Sequence, residues 1–258
     1  VYSVINSLPQ DSSAEVHFSA DNAYVAAGYW GGVTVWDVET GGVVHEYALA
    51  QSILQNSFTS GEDLNAVVDF NPSTSQLVYG IRNDIFLVDA AENVTTKNWK
   101  TQYAGGLSWL DENRVLELGY PLAGKSSYFA VWQTDNQNAI YRGDCLAASR
   151  GLHLPHFVYL ENVSILAYEA EGTTDNRVAV KVVSLLDGLE LGVIELDTYQ
   201  PLLGIVGLVQ EGILGIWAQV PREEGFGVSD QVQFWDVDTL EVVAFCADCS
   251  FLSGILAD

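Results

Sequence analysis

Residues 14–49 read AEVHFSADNAYVAAGYWGGVTVWDVETGGVVHEYAL. Four short runs rich in Val, Tyr, Trp and Ala are separated by Ala20-Asp21-Asn22, Trp30-Gly31-Gly32 and Glu39-Thr40-Gly41-Gly42. Apolar residues alternate inside the runs, Val33 with Val35 for example, as half-buried strands require. Turns this tight join only antiparallel neighbours, so the stretch predicts a four-stranded meander. A lone sheet of this kind leaves apolar surface uncovered and needs others to stack against.

The others are present. Aligned on Val35-Trp36-Asp37-Val38, the design recurs with anchors at Phe86-Leu87-Val88-Asp89, Ala130-Val131-Trp132-Gln133, Val180-Lys181-Val182-Val183 and Phe234-Trp235-Asp236-Val237. The anchors lie about 40 to 50 residues apart, the period of a propeller blade. Trp36-Asp37 and Trp235-Asp236, each followed by Val and a turn, resemble the tryptophan–aspartate (WD) repeat family. The resemblance covers nearly the whole chain, although the Gly-His that opens many repeats of that family is absent and Gly31-Gly32 stands in place of its frequent Asp-Gly. It implies an all-β propeller of four-stranded antiparallel blades, one domain over residues 1–258. Complete blades are expected at 14–50, 65–100, 104–143, 156–197 and 202–246, with a partial sixth closed by the termini, 250–258 with 1–8.

Charge narrows the partners. With 34 acidic against 10 basic residues the net charge is −24, and no basic stripe exists to follow a phosphate backbone or an anionic bilayer, which excludes nucleic acid. Pro201–Val220 has the length of a membrane span, but Gln210-Glu211-Gly212 places a charge and a turn at its centre. It reads as the first hairpin of blade five, and no membrane insertion is expected.

Three short motifs invite a chemical reading and lack the context for it. Gly119–Ser126 matches the phosphate-binding G-x-x-x-x-G-K-[ST], yet Ser127–Trp132 behind it reads as a strand where that motif requires a helix, so a loop between blade strands is expected. Arg142-Gly143-Asp144, a tripeptide some integrins recognise, falls on an expected inter-blade loop. Cys246-Ala247-Asp248-Cys249 has neither the second pair of a zinc site nor the helix of a redox pair, and is read first as thiols at a strand end, with a local disulfide and then a metal site as the alternatives. His17 and His45 lie inside blade-one strands and read as structural, and no G-x-S-x-G nucleophile elbow occurs. No catalytic residue, metal or cofactor is expected.

The favoured function is a non-enzymatic scaffold that binds a protein or peptide. A propeller-type enzyme or small-ligand site at the central channel is the alternative, and a subunit of a larger assembly the third reading. In this topology the turns joining strands one to two and three to four emerge on one side; they are short and acidic (Asp21, Asp37, Asp89, Asp111, Asp187, Asp236). The two-to-three turns and the links between blades emerge on the other side, are longer, and carry Arg and aromatic residues, the types enriched at interface hot spots. Trp30, Arg82, Arg150 and Arg222, with Tyr29, Tyr120, Arg142 and Arg177, are the expected partner-binding residues.

Overall fold

The structure, a computed structural model, describes residues 15–60, 64–102, 104–119, 126–147, 157–160, 164–172, 178–196, 198, 202, 204–208, 212–221 and 228–247. Blade one consists of β1 (Glu15–Phe18), β2 (Tyr24–Tyr29), β3 (Gly32–Asp37) and β4 (Val43–Ala48). Blade two is β5 (Val67–Phe70), β6 (Gln76–Ile81), β7 (Asp84–Asp89) and β8 (Val94–Lys100). Blade three is β9 (Ala104–Trp109), β10 (Arg114–Gly119), β11 (Ser126–Gln133) and β12 (Asn138–Ala147). Blade four is β13 (Phe157–Leu160), β14 (Ile165–Glu171), β15 (Val178–Ser184) and β16 (Glu190–Glu195). Blade five is β17 (Gly204–Leu208), β18 (Ile213–Pro221), β19 (Val228–Asp236) and β20 (Val242–Ala247). Within every sheet the spatial order is the chain order and every pair is antiparallel. The chain is thus an all-β propeller with five complete blades. The expected partial sixth, 250–258 with 1–8, lies outside the described residues.

The third-to-fourth turn is one device used five times. Its fourth residue takes left-handed backbone: Gly41 (φ 68), Asn93 (φ 53), Gln137 (φ 60), Gly188 (φ 75) and Leu240 (φ 53). In blade one, Gly41 N–H donates to the Asp37 carbonyl (2.9 Å) and Asp37 N–H to that of Gly42 (2.9 Å); blades four and five repeat both bonds. This is a type I turn closed by a left-handed residue, which matches the twist of a hairpin. The aspartate of the WD pair holds it. Asp37 Oδ1 accepts from Thr40 N–H (2.7 Å) and Thr40 Oγ1 (2.8 Å), and Asp236 accepts from Asp238 and Thr239 N–H in the same way. Those bonds favour the ionised form and lower the pKa of both carboxyls.

The described chain divides into two compact units, blades one to three and blades four and five. In the first, Ala26, Val33 and Val35 pack on Val68, Leu77 and Tyr79 of blade two, and Ile85, Leu87 and Trp99 pack on Leu107, Trp109 and Val115 of blade three. The sheets approach so closely at Gly28 that an added Cβ would lie 2.3 Å from the Ala66 carbonyl oxygen. In the second unit, Val180, Val182 and Ile194 pack on Leu202, Leu214 and Ile216.

Three sequence expectations are corrected. The link between blades one and two, expected as one of the long loops, contains helix α1 (Gln51–Ser60), which no Gly or Pro interrupts. Its Leu54 sits on the blade-one turn so tightly that a Cβ on Gly31 would lie 2.4 Å from Leu54 Cδ2. Arg142-Gly143-Asp144 lies inside strand β12 and not on a loop. Cys246 is not a thiol but disulfide-bonded. Pro201–Val220 does contain the hairpin β17–β18, and no helix among the described residues is long and apolar enough to cross a membrane.

Candidate binding face and interior polar clusters

The turn at Trp30 is built from both ends. Gly31 N–H donates to the Leu64 carbonyl (2.9 Å), Leu49 N–H to that of Gly31 (2.8 Å) and Ala66 N–H to that of Tyr29 (3.1 Å). Leu49, which precedes α1, and Leu64 and Ala66, which follow it, are thereby tied to the turn. Trp30 pairs with Asn65 in an isolated bridge and is half-buried. Tyr29, expected at the surface, is buried, with its hydroxyl 3.1 Å from Thr34 Oγ1; it braces the turn and presents no ring to a partner.

Arg82 is the first residue of the two-residue β6–β7 loop and has φ 56. Positive φ at the first residue is what a two-residue hairpin turn requires. Its carbonyl accepts from Ala104 N–H (2.9 Å), so the tip of this hairpin also anchors the start of blade three. Arg142 is exposed on β12 with its guanidinium 4.0 Å from the centre of the Tyr128 ring, a cation–π contact. Tyr120, Arg150, Arg177 and Arg222 lie outside the described residues. Of the expected set, the structure thus places Trp30, Arg82 and Arg142 in blades one, two and three of a single unit.

Beneath Arg142 lies a carboxylate the sequence did not single out. Glu117 of β10 is fully buried. It accepts from the Tyr128 hydroxyl (2.5 Å), Trp132 Nε1 (2.6 Å) and the Thr101 hydroxyl. Burial raises its pKa above the usual glutamate value, against the pull of those three donors and of Arg142.

A second cluster lies on the innermost strands. His17 of β1 has Nδ1 3.2 Å from Asp69 of β5 and Nε2 3.3 Å from Glu15. The hydrogen bonds to Asp69 and Glu15 raise its pKa to about 9, so it is an imidazolium at neutral pH. Asp69 also accepts from Trp109 N–H (2.8 Å), and Glu15 from Val68 N–H (3.2 Å), so the cluster laces three inner strands together. Both ring nitrogens are engaged, as befits a structural histidine. Among the described residues no group of three or more His, Cys, Asp or Glu is arranged to hold a metal ion.

No family model matches the chain, and no curated protein matches it in sequence. Solved structures do. Hsv2 of Kluyvelomyces marxianus is 8% identical, with 91% of this chain and 62% of that one covered at a TM-score of 0.54. KlAtg21 in complex with the coiled coil of AgAtg16 is 13% identical, with 90% and 68% covered at 0.56. Kuenenia stuttgartiensis hydrazine synthase is 13% identical, with 89% and 65% covered at 0.54. The chain spans about two thirds of the length of these structures, and at such identities the likeness shows the fold alone: this chain is a β-propeller.

Proposed function

We propose that the chain is one WD-repeat-like propeller module, non-enzymatic, that binds a protein or peptide through the face of its two-to-three turns and inter-blade links. The observation that carries this reading is the Trp30 turn, where half-buried Trp30 sits in a backbone held by three hydrogen bonds, with Leu54 of helix α1 against Gly31. Rigid, partly exposed Trp and Arg are the anchors that interfaces use. Arg82 and Arg142 supply the charge in the same unit, and Tyr120, Arg150, Arg177 and Arg222 are assigned to the same face. KlAtg21, a structural neighbour, was solved holding a coiled coil of another protein, which accords with this class of function and with a place in a larger assembly. A channel site would draw on Glu15, His17 and Asp69, but these are spent on one another.

The test is affinity capture from extracts of the source cells, read by mass spectrometry. Protein partners retained by the wild type should be lost with W30A/R82A/R150A/R222A at unchanged melting temperature. They should be kept with E39K/E92K on the opposite side. Asp37 and Asp89 are unsuitable for that control because their carboxylates hold turns. Loss with E39K/E92K and retention with the four alanines would reverse the assignment of faces.

A further inference from the structure

The side read as merely acidic carries a second feature in blades four and five. Leu186, Leu189, Leu191, Val242, Val243 and Phe245 are each between 45% and 65% exposed. They are six of the eleven strongly exposed large apolar residues among those described, and all belong to two adjacent hairpins. Chance scatter would spread them over five blades.

The register of the repeated turn shows that the fold does not require them. At the position of Leu186 the other blades have Glu39, Ala91, Asp135 and Asp238, and at that of Leu189 they have Gly42, Val94, Asn138 and Glu241. Strand β20 departs from its counterparts too. The outer strands of the other blades all carry charge, such as Glu46, Lys97, Arg142 and Glu190, which guards an exposed edge against pairing. Strand β20, VVAFCA, has no charged residue. Leu240 brings the two hairpins together, since a Cβ on Gly192 would lie 2.0 Å from its Cδ1.

Charge selects the occupant. Residues 178–195 and 228–247 hold seven acids and one base, Lys181, whose ammonium is 3.1 Å from Glu190. A second copy of this chain, itself at −24, would be repelled. We propose that the leucine-rich β15–β16 turn and the adjoining strand β20 form a docking surface for a basic protein segment with alternating apolar side chains. Its apolar residues cover the leucines, and its Lys or Arg residues meet Asp187, Asp238 and Glu241. The surface shares no residue with the Trp30 turn.

The probe is a short fluorescein-labelled peptide of alternating leucine and lysine, followed by anisotropy at physiological ionic strength. The wild type should bind it at least tenfold more tightly than L186S/L189S/L191S, and at least tenfold more tightly than it binds a serine–lysine peptide. V243T/F245T should weaken binding as well, and gives a second reading should the triple variant unfold. W30A/R82A should bind like the wild type, so failure here and failure of the Trp30 face are distinguishable. Equal binding by the leucine and serine variants would overturn the proposal. So would equal affinity for a leucine–glutamate peptide, or a wild-type dimer in light scattering that the triple variant converts to monomer.

Discussion

Half-buried His17 and fully buried Glu117 have their folded-state pKa values raised by different causes, hydrogen bonds to carboxylates for the one and burial for the other, and both make stability fall as pH rises, in different pH windows. The folded-state pKa of His17 is raised from 6.5 to about 9. Its stabilisation is complete below about 6.5 and is lost as pH climbs through 9. Urea titrations from pH 6 to 10 should show this decline in the wild type and a flatter, lower curve in H17Q. Glu117 has its folded pKa raised above 4.5 by burial, so the folded state holds that proton more tightly than the unfolded chain. Stability therefore falls as pH rises from 4.5 through the raised value, and E117Q should remove that fall. E117A leaves the Tyr128 hydroxyl and Trp132 N–H without their acceptor and should cost about 2–4 kcal/mol by urea denaturation. None of this was legible in the sequence. Glu117 is one of 34 acidic residues; its donors Tyr128 and Trp132 lie on the paired strand β11, and Thr101 follows β8 of blade two, a grouping that only the register and the neighbouring blade bring about.

At the level of the element, the repeated third-to-fourth turn makes a paired forecast. A Cβ on Gly41 meets nothing within 4 Å, so Gly41→Ala isolates the cost of left-handed backbone and should lower stability by about 1 kcal/mol. Gln137 already sits in that conformation at φ 60, so Gln137→Gly should raise stability by a few tenths to about 1 kcal/mol. Thermal unfolding of the two variants checks the signs. These turns explain why the blades could be read directly: Asp, Thr and Gly at fixed offsets are local chemistry. Helix α1 was missed because only its seat on the Gly31 turn distinguishes it from loop, and Tyr29 because Thr34 supplies its buried partner. The oxidation of Cys246 was left among several readings because a C-x-x-C spacing alone does not distinguish thiols, a disulfide and a metal site.

For the whole molecule, a charge of −24 over 258 residues sets the solution behaviour. Like charges crowd more in the folded state than in the unfolded chain, and salt screens them. Scanning calorimetry should therefore show the melting temperature rising between 0.01 and 0.3 M NaCl, opposite to a fold held by surface ion pairs. Another property follows from the order of strands. Among the described residues each strand pairs only with its immediate predecessor and successor along the chain, so no ladder within the five blades waits for a distant segment to arrive. Loop-closure entropy is then small at every step, and blades can nucleate independently. Refolding should be fast for an all-β protein of this size, and pulse-labelled hydrogen exchange should find whole blades protected one at a time. The way the turns are cut thus sets the tempo of assembly as well as its shape.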